Sequence, residues 1–216
     1  MKLDNLKAHD FLRKTEFSLN ALIETDPRGM GHLVTLAGGL FVSHAGQDYQ
    51  YIRREIFFPV IRPLFNNKCF QENSRTMGAS HYRMYVQAML HICDKFMVVV
   101  SQYSLDHEWV AAEVEWALDH QRPVVQCLLD NSDSAKIHSS LKRGNDKEIF
   151  IADFRINIQE GQQALERILR KLLCQYPPPL IDEWRARDAS DPKLLRELLH
   201  QSPVPYLESN SKRKKS

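Results

Sequence analysis

The sequence predicts an α/β protein whose parallel sheet is covered by helices on both faces. Two observations carry that expectation. Short aliphatic runs recur along the chain between longer segments of helical periodicity, and the runs are apolar throughout, as strands buried on both faces require. Right-handed crossovers between such strands then favour a doubly wound arrangement. With 216 residues, 43% hydrophobic and 26% charged, the chain is long enough for one well-filled core with extensions and short for two.

Phe11, Leu12, Phe17, Leu19, Leu22 and Ile23 recur at roughly helical spacing until Asp26-Pro27-Arg28-Gly29 breaks the pattern, so residues 1–37 are read as a helical N-terminal extension. After Gly38-Gly39, the run Leu40-Phe41-Val42-Ser43 predicts the first strand. Asp48 is placed to cap the next helix, whose apolar stripe is Ile52, Ile56, Val60, Ile61 and Leu64, and Pro59 and Pro63 are expected to kink or end it. Lys68 to Gln71 predicts a short second strand, Glu72 to Gly78 a loop, and Ser80 to Ile92 a helix.

Phe96-Met97-Val98-Val99-Val100 is the most apolar strand and belongs centrally in the sheet. Asp106 is expected to cap a helix through His120, and Pro123 to Leu129 to form the fourth strand. A polar connection over 130–147, with one short helix near 136–141, leads to a fifth strand at Glu148 to Ile151. Ala164, Leu165, Ile168, Leu169, Leu172 and Leu173 share one face of a last helix, which Pro177-Pro178-Pro179 prevents from continuing. The domain therefore spans 38–175. Residues 176–216 are read as a C-terminal extension with a helix from Pro192 and a disordered tail, whose Lys212-Arg213-Lys214-Lys215 run reads as solvated charge.

A net charge of +2 gives no overall field that would draw nucleic acid or an anionic membrane. No run approaches the ~18 apolar residues of a membrane span, and the opening residues mix charges into their apolar positions, unlike a signal peptide. Cys69, Cys93, Cys127 and Cys174 form no C-x-x-C unit and are expected to be free thiols, mostly buried, in a reducing cytoplasmic setting. His81, His91 and His107 lack metal-ligand spacing, and there is no Gly-rich phosphate loop, so no metal is expected.

Three stretches carry a family resemblance. Phe41 to Asp48, FVSHAGQD, resembles the opening box of TIR (Toll/interleukin-1 receptor) domains. Phe96 to Ser104 resembles the third TIR strand and its exit, and Trp109 with Glu113 reproduces a Trp-x-x-x-Glu spacing found at the start of the following TIR helix. The likeness covers roughly the middle two-thirds of the chain. It departs from the family where Gly39-Leu40 replaces an acidic residue before the first apolar pair, and where the loop after the second strand keeps only Gly78. The resemblance implies a flavodoxin-like, doubly wound, five-stranded parallel sheet with helical extensions at both ends.

TIR domains divide into adaptors that act by assembly and enzymes that cleave the bond between nicotinamide and ribose in NAD+. In the enzymes a glutamate four residues past the Trp is catalytic, a place that Glu113 takes here. Neutral nicotinamide leaves without needing a proton, so one carboxylate that stabilises the positive ribose suffices, unlike the pair that most glycosidases use. The resemblance also implies that the loop after the first strand meets the substrate. Ser43, His44 and Gly46 are the candidates, with Trp109 beside Glu113, while Arg53 and Arg54 come too late to serve the phosphates.

These residues also have plainer readings: Glu113 as a solvated helix residue, Trp109 as core, His44 as a partner for backbone. The expectation is an NAD+ hydrolase with NAD+ as substrate rather than cofactor, releasing ADP-ribose or a cyclic form. It would act in immune or cell-death signalling and assemble with other TIR domains. The alternatives are a non-enzymatic TIR adaptor, or an enzyme similar to nucleoside deoxyribosyltransferases.

Overall fold

A computed structural model describes residues 7–14, 19–66, 69–71, 79–142, 149–181 and 191–200 of the chain. Strands β1 (Leu40–Ser43), β3 (Lys95–Val100), β4 (Val124–Leu128) and β5 (Ile149–Asp153) form the body of one all-parallel sheet, and the three-residue β2 (Cys69–Gln71) adds an edge beside β1. The order β2-β1-β3-β4-β5 puts β3 in the centre, as its composition predicts. β1 and β3 are buried along their whole length, which is why neither shows polar alternation. Register pairs Phe41 with Phe96, whose rings stack with centroids 5.6 Å apart.

Side chains alternate along β3 between two apolar layers. Met97 and Val99 face a layer that contains Ile52, Ile56, Val60 and Ile61 together with Leu165, Leu169 and Leu172 of α8 (Ile158–Gln175). Phe96, Val98 and Val100 face the other layer, with α6 (Ala79–Ile92) and α7 (Glu108–Asp119). Helices thus cover both faces, as the sequence predicts. Asn157 caps α8 by accepting from Gln159 N at 2.8 Å.

The N-terminal extension is helical over its described residues, as the sequence predicts. It forms α1 (Ala8–Lys14), α2 (Leu19–Thr25) and α3 (Pro27–Val34). Asp26-Pro27-Arg28-Gly29 ends α2, as expected, and also starts the next helix: Asp26 caps α3 by accepting from Gly29 N at 3.0 Å, and Pro27 lies in its first turn. Asp26 also accepts a 2.9 Å bond from the Tyr85 hydroxyl, which burial and this carboxylate push up to about 12. α1 packs on α7, and α9 (Pro192–His200) packs on α2 and α3. Phe11, Ile23, Met30, Leu195 and Leu198 consequently share one apolar cluster with the sheet.

Other expectations need correction. Asp48 does not cap the helix that follows β1; it lies at the end of a 3-10 turn (Gly46–Asp48) with helical backbone and no capping bond. The helix runs on through α4 (Tyr49–Tyr51), a π-helical stretch (Ile52–Ile61) and α5 (Arg62–Phe65). Neither proline stops it. Pro59 lies within the wider π-helical path and Pro63 in the first turn of α5, and the chain leaves the helix at Asn66, whose φ is 44°.

Asp106 does not cap α7, which begins after His107 without a side-chain cap. The short helix expected near 136–141 is two 3-10 turns, Ser134–Lys136 and Ser139–Lys142. Cys93 and Cys127 are buried free thiols, as expected, whereas Cys174 is exposed because it lies on the outer side of α8. The loop 72–78, the side chains of Cys69 and His81, and the tail lie outside the described residues. Among those residues no helix is long and apolar enough to cross a membrane.

Candidate functional site

The strand order places a topological switch between β1 and β3: the chain leaves β1 toward β2 on one side and β3 toward β4 on the other. Loops that diverge in this way open a crevice at the carboxyl ends of the strands, where open α/β sheets take their ligands. Ser43 ends β1 there, Ser101 follows β3, and α7 passes close by.

Ser43 Oγ donates a 2.6 Å hydrogen bond to Glu113 Oε2. The two residues are 70 apart in sequence, and neither has any exposed surface. Glu113 lies on the buried face of α7 with Val110, Val114 and Ala117, so its carboxyl meets Ser43 at the end of β1 from the core side. This excludes the plain reading of a solvated helix residue. A buried carboxyl with a short hydroxyl bond is held in one orientation, the condition for electrostatic stabilisation of a developing cation.

His44 is 3% exposed. Its Nδ1 lies 2.8 Å from the Ala45 carbonyl, and since a carbonyl only accepts, Nδ1 carries a proton. The backbone bond of the plainer reading is thus present, and it fixes the ring near Tyr49, with centroids 6.1 Å apart. Gly46 opens the 3-10 turn at the surface, and a Cβ built there would meet nothing within 4 Å. Its neighbours within the chain therefore do not require glycine.

Trp109 is not brought to this cluster. It is half-buried against the N-terminal helix, 6.1 Å from the Phe11 ring, with the Arg83 guanidinium 5.4 Å above its face. The same region ties α1 to α7 through Ala8 N, which donates to Glu108 Oε1 at 2.5 Å, and through His9 Nδ1, 2.7 Å from Glu115.

The structure adds residues that sequence reading did not assign. Asp48, read as a helix cap, is 6% exposed and accepts a 2.6 Å bond from Ser101 Oγ. Burial holds its carboxyl above the usual range; the Ser101 bond and His44 oppose that rise and Asp130 adds to it. Ser104 folds back on Ser101, its hydroxyl accepting from Ser101 N and donating to Ser101 O, both at 2.9 Å. Asp130, after β4, accepts from Gln102 N at 2.9 Å and from Ser132 N at 2.9 Å, and the hydrogen bonds from these two residues hold it below the usual carboxylate range despite some burial. The Ser-x-x-Ser spacing at the end of a strand was the available signal for this turn.

Among the described residues no group of three His, Cys, Asp or Glu is disposed to hold a metal ion. Comparison with protein-family models, with curated proteins and with solved structures finds no match to this chain.

Proposed function

We propose that this chain is an NAD+ hydrolase of the TIR type, with a flavodoxin-like domain in which Glu113 is the catalytic residue. The observation that carries the reading is the 2.6 Å bond from Ser43 to a buried Glu113 at the switch between β1 and β3. It joins the serine of the FVSHAGQD stretch to the glutamate of the Trp-x-x-x-Glu spacing, two sequence signals from separate parts of the chain.

In the reaction the C1′–N bond breaks and its electron pair leaves with neutral nicotinamide. The cation left on the ribose is stabilised by the Glu113 carboxylate, and water adds to C1′ and releases a proton, giving ADP-ribose; an adenine nitrogen in place of water gives a cyclic form. Ser43 is a positioning residue that fixes the carboxylate. His44, whose ring is oriented by Ala45, and Gly46 belong to the substrate-binding loop in this reading. Trp109 keeps only a supporting part, since its ring packs on Phe11. Activity would depend on assembly with other TIR domains in cytoplasmic signalling.

The test is nicotinamide release from NAD+ by the purified full chain beside Glu113→Gln, which keeps an acceptor for Ser43. Loss of one preorganised electrostatic group commonly costs about 100-fold or more in kcat. Equal turnover by both proteins sinks the assignment. A second reading, a non-enzymatic TIR adaptor, draws on the complete burial of Glu113. It predicts no turnover at any protein concentration and self-association unchanged by Glu113→Gln.

A further inference from the structure

The crevice between the β1 and β3 loops is shut. Glu113 and Ser104 have no exposed surface, and Ser101, His44 and Asp48 keep only 2%, 3% and 6%. A dinucleotide reaches Glu113 only after the two loops separate. Asp48 on the β1 side and Ser101 on the β3 side are joined across that gap by their 2.6 Å bond, between residues 53 apart in sequence.

The two sides are anchored differently. On the β3 side, Ser104 closes the turn around Ser101, Tyr103 N donates to Ser101 Oγ at 3.2 Å, and Gln102 N is bonded to Asp130 beyond β4. On the β1 side the 3-10 turn runs on into the helix from Tyr49 but has no side-chain cap, is closed by the backbone bond from Asp48 N to Ala45 O at 3.0 Å, and is entered through an exposed Gly46 around which a Cβ finds open space. The β1 side is therefore the half that moves, and Asp48 is its tie to the fixed half.

We propose that the Asp48–Ser101 hydrogen bond is a latch on this crevice, and that its release lets the Gly46–Asp48 turn swing away and admits the nucleotide to Glu113. The inference rests on the hydrolase reading of Glu113. In this inference Asp48 and Ser101 hold the two loops together and take no part in the reaction itself. A buried acceptor deprived of its donor favours the conformation in which water can reach it.

Affinity for a ligand that binds only the open form scales with the open fraction, so a broken latch lowers the apparent KM and leaves kcat unchanged. The experiment compares the full-length protein with Ser101→Ala, Asp48→Ala and the double variant, by NAD+ cleavage kinetics and by amide hydrogen exchange. Each single variant is expected to lower KM by up to about tenfold at constant kcat, and the double variant by no more than either. Exchange is expected to accelerate at 44–49 and 101–105 and to stay unchanged in β4 and α8.

Local acceleration of exchange in variants that, like the parent, never cleave NAD+ supports the latch and overturns the hydrolase reading. Cleavage by the parent with KM unchanged or raised in the single variants overturns the latch. So does acceleration spread evenly through the fold. Should one single variant not fold, the other decides, since each removes the same bond.

Discussion

Substituting Phe11 by Ala tests whether the N-terminal helices are an appendage or part of the core. Phe11 is 1% exposed on α1, its ring is 6.1 Å from that of Trp109 on α7, and the Arg83 guanidinium lies 6.0 Å above it. Deleting a buried ring costs its transfer free energy plus the cavity left behind, about 3–5 kcal/mol for Phe→Ala. For a domain of this size each kcal/mol lowers Tm by roughly 2–4 °C, so a fall of about 6–20 °C is expected. Urea unfolding followed by tryptophan fluorescence should remain one cooperative transition, with the emission of the folded state shifted as Trp109 loses its neighbour. An appendage would respond otherwise: a change under about 0.5 kcal/mol, within the range of surface substitutions, would refute the view that α1 belongs to the core.

Four further outcomes are expected. Glu113→Gln keeps an acceptor for Ser43 Oγ, whereas Glu113→Ala strands that buried hydroxyl, so in urea the Ala variant should be about 1–3 kcal/mol less stable than the Gln variant. Gly38 has φ of 68°, and a Cβ there would lie 2.6 Å from Pro179 Cδ and 2.8 Å from Pro178 Cα. Gly38→Ala should therefore cost about 1–3 kcal/mol, checked by thermal unfolding. Gly46→Ala should leave stability within about 0.5 kcal/mol, so any loss of NAD+ turnover in that variant reports on close approach of the substrate rather than on folding. Burial lowers His91 from 6.5 to about 4 against the edge of Trp116, with His120 and Arg122 adding to the shift. The unfolded chain therefore takes up the proton first. The stability that neutral His91 contributes is present above pH 6.5 and is lost as pH falls from 6.5 to about 4, up to roughly 3 kcal/mol, and His91→Leu should flatten that part of a pH series of urea unfolding curves.

Where the sequence spoke clearly, local periodicity and burial on both faces left one solution. Uninterrupted aliphatic runs marked β1, β3 and β4 to within a residue or two, and the six-residue stripe of α8 marked the helix that covers one layer. Punctuation was read less well, because the same residue types begin and end elements. Asp26-Pro27, read as a break, ends α2 and also caps the start of α3; Pro59, expected to kink or end its helix, is carried by a π-helical path. Lys95, a charged residue just before the apolar run that starts at Phe96, opens β3 fully buried, its Nζ donating to Asp94 at 2.6 Å and to the Gly38 carbonyl at 2.8 Å. No periodicity encodes those two partners, since one is a backbone atom 57 residues away.

The same division runs through the site. By itself the sequence determined the alternation that makes a parallel sheet, the strand ends at Ser43 and Val100, and the spacing that put Glu113 on the helix after β3. Only the tertiary structure decided the partners. It brought Ser43 to Glu113 and Asp48 to Ser101, turned Trp109 toward Phe11, and folded the N-terminal helices into the core. The physical reason is that a hydrophobic pattern fixes which face of an element is buried, whereas a hydrogen bond between buried polar groups depends on where two distant elements cross.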